Sequence, residues 1–356
     1  MGKRLGKGSI SVLIDNISQL GLLQTFKDIA GFGCDVYIMI DTGYGRAGLT
    51  TDSPNFKPLV RSILNVIEPS GSGTLRGFYS HAGHSYGGDS AAAAMSLLVQ
   101  EIEGLKIAAD TIAAIHQTTM TNGRYILSVG ATPTATSIQN LTTKPENREA
   151  NNTDEQIMKL QKCIEDAKRT QTIEIHAGVY PILDLQQVAT HASPSAKVYN
   201  PADTQPKLST ADIAMSILVE VASVYEDREN PEVLIAAGSL SLGREPCKSY
   251  NGWGIVSDLG MARQSSNGRS GWQVGRISQE HGILTKDSSV GHDTIVSPEK
   301  PNPSTATLRA GQKIRIWPNH ACIAGAGFGW YLVVDSSLPD GRQDEIVDVW
   351  VRCRGW

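Results

Sequence analysis

One feature limits what this chain can fold into more than any other. Across the first two-thirds, short apolar runs alternate with longer amphipathic stretches. The runs are Ser11–Asp15, Cys34–Asp41, Leu75–His81, Tyr125–Gly130 and Thr172–His176. The first intervening stretch places Ile17, Leu20, Leu23 and Phe26 at helical spacing and stops at Gly31 and Gly33. Further helices are predicted over Phe56–Ile67, Ser90–His116 and Thr153–Lys168. Strands separated by helices pair in parallel through right-handed crossovers. After about residue 190 the pattern changes. The stretch 191–206 is rich in Ser, Pro and Asn, and from Ala211 onward come β-like runs (Ile213–Val224, Val233–Ala237, Lys313–Trp317 and Trp330–Asp335) between Gly, Pro and Ser turns. The expected organisation is an α/β part over residues 1–210 and an all-β domain over 211–356.

Composition removes several classes of function. Apolar residues make up 40% and charged residues 19% of 356, enough for a buried core and unlike a disordered chain. The net charge of −4 leaves no electrostatic footprint for nucleic acid. No apolar run approaches the ~20 residues of a membrane span, and the basic start lacks the apolar segment of a secretory signal. The five scattered cysteines, with no CxxC pair, point to a reducing, cytoplasmic compartment and to no disulfide framework. Cys34, Cys163, Cys247 and Cys353 are expected to be structural.

The strand ends carry the chemistry. They read Asp41-Thr-Gly-Tyr-Gly-Arg46, His81-Ala-Gly-His-Ser-Tyr86, Ser128-Val-Gly-Ala-Thr132 and His176-Ala-Gly-Val-Tyr180. Ligands gather at the C-terminal ends of strands in (β/α)8 barrels and open α/β sheets. The turns at Gly130–Thr134 and Gly178–Tyr180 offer clustered amides suited to a phosphate, or are two ordinary loops. Neither matches a P-loop or a dinucleotide fingerprint. Arg46 could hold a phenolate or carboxylate, or simply pair with Asp41. His81 and His176 could lie against a flat ring or pass a proton, or be satisfied structural residues.

Near the C-terminus, Pro318-Asn-His-Ala-Cys322 sets an imidazole and a thiol two residues apart. In an extended segment both side chains point the same way and could share one zinc ion. Two protein ligands imply an open coordination position. By spacing alone the signal is weak, and a buried structural pair accounts for it better.

Six runs, taken together, resemble the eukaryotic (fungal-type) D-serine dehydratases, a family of fold-type III pyridoxal-phosphate enzymes related to alanine racemase and D-threonine aldolase. They are Ile40–Leu49, Tyr79–Tyr86, Ser128–Thr134, Glu174–Pro181, Gln279–Gly282 and Pro318–Cys322, in family order over almost the whole chain. The resemblance implies a (β/α)8 alanine-racemase-type barrel followed by a β domain, in a homodimer. It implies pyridoxal 5'-phosphate held by Arg46 at the phenolic oxygen, His81 against the ring, Tyr86 or His176 near the pyridine nitrogen, and Thr132, Gly178, Val179 and Tyr180 around the phosphate. His81, Arg46 and Tyr86 are the expected catalytic residues, and His320 and Cys322 the expected zinc ligands. The implied reaction is β-elimination of D-serine to pyruvate and ammonia, the ring acting as electron sink and zinc activating the hydroxyl. The aldolase relatives tend to carry an acid at the Cys322 position, so the thiol favours dehydration. D-threonine aldolase activity, dehydration of another D-3-hydroxy amino acid and a non-catalytic remnant of the fold are the alternatives.

The resemblance also exposes a departure. The family carries its Schiff-base lysine on the first barrel strand, and the five strands here match the last five of that barrel. The expectation is therefore a barrel lacking its first three strands, N-terminally truncated and inactive alone. Lys3 and Lys7 lie in no matching motif.

Overall fold

The computed structural model describes residues 6, 8–116, 124–142, 153–194, 208–258, 268–287, 306–339 and 341–353. Lys3, Lys7, His292 and most of the stretches 140–152 and 191–206 lie outside the described residues. The chain divides into two compact units, the first holding the described residues up to Gly178 with Thr190–Pro194, the second holding Val179–Ala189 and the described residues from Leu208 on.

In the first unit five parallel strands, β1 (Ser11–Ile14), β2 (Cys34–Met39), β3 (Gly73–Tyr79), β4 (Ile126–Val129) and β5 (Thr172–Ile175), pair in sequence order as an open sheet. Each falls within a predicted apolar run, to within two residues. The connecting helices are α1 (Leu20–Ala30), α2 (Phe56–Ser62, continuing as a π-turn to Ile67), α3 (Ala91–His116) and α5 (Thr153–Lys168), with the short α4 (Thr132–Ser137) between α3 and α5. Gly31 ends α1 at a φ of 82°, the left-handed cap that its position in the sequence predicts.

Alternate strand residues face the helices. Val36, Ile38, Phe78, Leu127 and Val129 are fully buried there with Leu59, Met95, Leu98, Ile102 and Leu160. Their sequence neighbours Leu13, Tyr37, Arg76, Tyr79, Ser128 and Glu174 occupy the opposite face, which is only partly covered. Gly77 lets β3 and β4 approach, because a Cβ there would lie 1.9 Å from the Ile126 carbonyl oxygen.

The second unit is β-rich, as expected. Strands β6 (Ile217–Tyr225), β7 (Glu232–Ile235), β8 (Gly254–Ser257), β9 (Arg269–Ile277), β10 (Gly282–Lys286) and β11 (Lys313–Pro318) close an antiparallel barrel in the order β10-β7-β6-β11-β8-β9. Its core is aliphatic, built from Val219, Val221, Val233, Ile235, Val256, Val274, Leu284 and Ile316. A two-stranded ribbon of β12 (Trp330–Val334) and β13 (Ile346–Val351) follows. Two short helices, α6 (Leu185–Thr190, all but its last residue) and α7 (Ala321–Ala326), belong to this unit. The extended segment expected at His320–Cys322 is absent. His320 is the extended N-cap of α7 (φ −132°, ψ 107°), and Cys322 is its second helical residue. The same-side argument from strand geometry therefore does not apply. Among the described residues no helix is long and apolar enough to cross a membrane.

Candidate functional site

In the first unit, the residues at the strand tips form a connected group of rings. His81 follows β3 and His176 follows β5, and their ring planes lie 16° apart with centroids separated by 6.3 Å. Tyr79, the last residue of β3, stacks on His176 at 4.3 Å and 6°. Tyr44, in the loop after β2, meets His81 edge-on at 5.9 Å and stacks on His84 at 5.8 Å. Arg46 does not pair with Asp41. Its guanidinium lies 5.1 Å from the Tyr44 ring centroid, and Asp41 accepts the amides of Gly43 and Gly45 instead. Tyr86 sits half-buried in the 3₁₀ turn Gly83–Gly87.

Hydrogen bonds set the two imidazoles. His81 Nδ1 lies 3.0 Å from the Gly130 carbonyl oxygen, and an oxygen that only accepts makes Nδ1 the protonated nitrogen. His176 Nδ1 meets Ser128 Oγ at 3.1 Å, and Ser128 Oγ donates to Glu174 at 2.7 Å. Burial holds His81 below the usual imidazole range, aided by the Arg46 charge. Burial, with His81 as neighbour, takes His176 down to about 4. Both rings are therefore neutral near pH 7. Buried His176 Nε2, His84 Nδ1 and Ser85 Oγ have no hydrogen-bond partner in the structure. Such orphaned atoms are rare in a folded protein. Two of them, on the His176 and His84 rings of this cluster, fit a site that receives a polar, flat ligand.

The turn after β4 is held from below by Glu101 of α3, which is fully buried. Its carboxylate accepts from Ser80 Oγ (3.1 Å), the Gly130 amide (3.2 Å) and Thr134 Oγ1 (3.0 Å). Gly130 has a φ of 141°, and a Cβ there would lie 2.2 Å from the His176 carbonyl oxygen. Thr132 is buried at the start of α4. Gly178 and Tyr180 are exposed, whereas Val179 is buried in the core of the second unit. Glu101, Tyr44, Tyr79, Ser128 and His84 were missed by sequence reasoning. Tyr44, Tyr79, Ser128 and His84 all lie inside the quoted strand-end runs and could have been found there, but Glu101 sits mid-helix with no local signal.

The second candidate centre lies within the second unit. The buried Asp184 carboxylate accepts the amides of Gln187 and Ala321, both at 2.9 Å, and so caps the starts of α6 and α7 together. Asn319 donates to the carbonyls of Glu245 and Gly252, both at 2.8 Å, fixing the residue before His320. His320 Nδ1 is 2.6 Å from Gln186 Oε1. Cys322 is half-buried, and burial together with the Asp184 charge pushes its thiol above the usual range. One imidazole nitrogen and one sulfur form a donor set that suits zinc. Among the described residues no group of three or more His, Cys, Asp or Glu side chains could hold a metal ion. All five cysteines are free thiols.

Comparison with known proteins identifies the family. A family model described as "Putative serine dehydratase domain" matches residues 214–334. The D-serine dehydratase of Saccharomyces cerevisiae is 32% identical over 354 residues, covering 98% of this chain and 69% of that protein. Among solved structures, D-threo-3-hydroxyaspartate dehydratase from Delftia sp. HT23 is 25% identical with a TM-score of 0.63, over 97% of this chain and 73% of that one. Other solved forms of D-threo-3-hydroxyaspartate dehydratase include a cysteine-to-alanine mutant in the metal-free form. An alanine-racemase-like protein from Idiomarina loihiensis shares the fold at a TM-score of 0.61 and 21% identity, over 97% of this chain and 72% of that one. At this identity over nearly its whole length, the chain belongs to the fungal-type D-serine dehydratase family, on an alanine-racemase-like fold.

Proposed function

We propose that this protein is a pyridoxal-phosphate- and zinc-dependent dehydratase that converts D-serine to pyruvate and ammonia, as a cytoplasmic homodimer. The observation that carries the proposal is the His320–Cys322 pair at the start of α7, an N/S donor set in a family of D-serine dehydratases. The metal-free form of the related D-threo-3-hydroxyaspartate dehydratase, a cysteine mutant, supports a metal in this lineage.

Pyridoxal phosphate, when bound, supplies an electron-poor ring that accepts the electron pair left at Cα, and zinc supplies a Lewis acid for the leaving hydroxyl. The chain's own residues bind and orient. His81, neutral and fixed by Gly130, would lie against the cofactor ring. Arg46 would meet the phenolic oxygen with a positive charge. His176, neutral at pH 7 with Nε2 buried, or Tyr86, would face the pyridine nitrogen. Thr132 and Gly178 would hold the phosphate, with Glu101 fixing the Gly130–Thr134 turn. His320 and Cys322 would hold zinc and leave positions for the substrate hydroxyl.

Among the described residues the sheet has open edges at β1 and β5 and one partly covered face. Parallel sheets are as a rule covered on both faces. This supports a barrel in which that face is covered, and turnover of D-serine is expected of protein with a closed barrel. The test is product analysis on protein with a closed barrel, given D-serine, D-threonine and D-threo-3-hydroxyaspartate. Pyruvate from D-serine that stops on chelation is expected. Aldehyde from D-threonine without pyruvate from D-serine would replace the proposal with an aldolase.

A further inference from the structure

The hydrogen bond between Gln186 and His320 bears on which of the ring nitrogens meets a metal. Gln186, the second residue of α6, donates from Nε2 to the Pro246 carbonyl oxygen at 2.7 Å. A carbonyl oxygen only accepts, so the amide has one orientation. Oε1 faces the other way, 2.6 Å from His320 Nδ1. An amide oxygen also only accepts, so Nδ1 carries a ring proton, and in the neutral ring the lone pair lies on Nε2. The relay runs from a backbone carbonyl, through one half-buried amide, to the imidazole.

Its anchors are tight. The Gln186 backbone N–H donates to the Asn319 carbonyl oxygen at 3.2 Å, tying α6 to the residue before His320. Asp184 ties the first turn of α6 to Ala321, the residue after His320. Cys247 Sγ donates to the Leu185 carbonyl oxygen at 3.6 Å. Gln186 and His320 are 134 residues apart in sequence and are brought together by these contacts.

We propose that Gln186 is a positioning residue for the metal centre, holding His320 in the Nδ1–H tautomer so that Nε2 is the nitrogen offered to zinc. The inference deepens the zinc assignment above and rests on it. Metal-ligating histidines characteristically donate their other N–H to such a partner, and losing it weakens metal binding 10–100-fold. A neutral amide adds less basicity to the imidazole than a carboxylate would. It leaves the bound metal the stronger Lewis acid, which suits activation of a hydroxyl leaving group.

Two measurements on the full chain test this. The first is zinc affinity by competition with a chromophoric chelator, for the wild type, Gln186→Leu, Gln186→Glu and His320→Ala. Expected are one zinc bound by the wild type, a 10–100-fold loss in Gln186→Leu, affinity at least equal to wild type in Gln186→Glu, and no binding in His320→Ala. Wild-type affinity in a folded Gln186→Leu would overturn the inference and leave the zinc assignment standing. The second is the tautomer of His320 in the metal-free wild type, read from its ring ¹⁵N shifts and assigned by its loss in His320→Gln. It needs no variant of Gln186 to fold. A proton on Nδ1 is expected, and a proton on Nε2 would overturn the inference. Failure of the wild type to bind zinc would overturn the zinc assignment itself, and with it the metal role of Gln186.

Discussion

Replacing Glu101 tests whether the turn after β4 is held as described. In Glu101→Ala, Ser80 Oγ keeps Thr42 Oγ1 at 2.7 Å and Thr134 Oγ1 keeps the Ala131 backbone. The buried Gly130 amide loses its Glu101 acceptor. An unsatisfied buried donor costs about 1–3 kcal/mol, and the space left by the side chain adds about 2 kcal/mol. A loss of about 3–5 kcal/mol is expected. Glu101→Gln should be cheap. Its oxygen accepts from Ser80 and Gly130, and its amide donates to Thr134 Oγ1, which turns its own proton to the Ala131 carbonyl oxygen at 3.2 Å. Burial raises the Glu101 carboxyl above its ordinary value. Between the ordinary and the folded value, the folded chain therefore holds a proton that the unfolded chain has released. The stability this gives is complete below the ordinary glutamate value, about pH 4, and is lost as pH rises through the folded value. Gln cannot titrate, so the variant should gain on the wild type as pH rises across that window. Urea unfolding at several pH values measures this, and hydrogen exchange at the Gly130 amide localises it. An Ala variant within about 1 kcal/mol of wild type, a Gln variant as damaging as Ala, or a difference that ignores pH would refute the reasoning.

Three other substitutions have definite expected outcomes. Gly130→Ala places a Cβ 2.2 Å from the His176 carbonyl oxygen at a φ of 141°, and should cost at least about 3 kcal/mol, visible as a lowered melting temperature. Arg46→Ala removes a charge that lowers the His81 pKa, so NMR titration should show His81 moving up towards the usual imidazole range while its burial keeps it below that range. Asp184→Ala uncaps α6 and α7 together and should cost about 2 kcal/mol by thermal melting, with Asp184→Asn recovering about half.

The first unit was legible because its signals are local. Apolar runs, helical spacing and Gly31 all act within one element, and the chemistry of a strand tip sits beside the strand in sequence. His81 and His176 were found for that reason. Glu101 was not, since it acts on Gly130 from 29 residues away. Strands β8, β9, β10 and β13 also escaped notice. Gly271 in β9 has a φ of 85°, and Gly275 gives way to Thr285 of β10, where a Cβ would lie 2.3 Å from Oγ1. These glycines are required by close strand crossing but read in sequence as turns. His320 and Cys322 were read on an extended segment, because the helix that starts at Ala321 is capped by Asp184, 137 residues away. That error reached the site, since it concerned the relation of His320 to Cys322.

Metal content is the most direct test of the central claim, that one imidazole and one thiol at the start of α7 hold zinc together. The chain is stripped of metal, reloaded with zinc, desalted and analysed for zinc per chain, alongside His320→Ala and Cys322→Ala. The account predicts one zinc per wild-type chain and none in either variant. A wild-type chain without zinc, or either variant with a full complement, would contradict it.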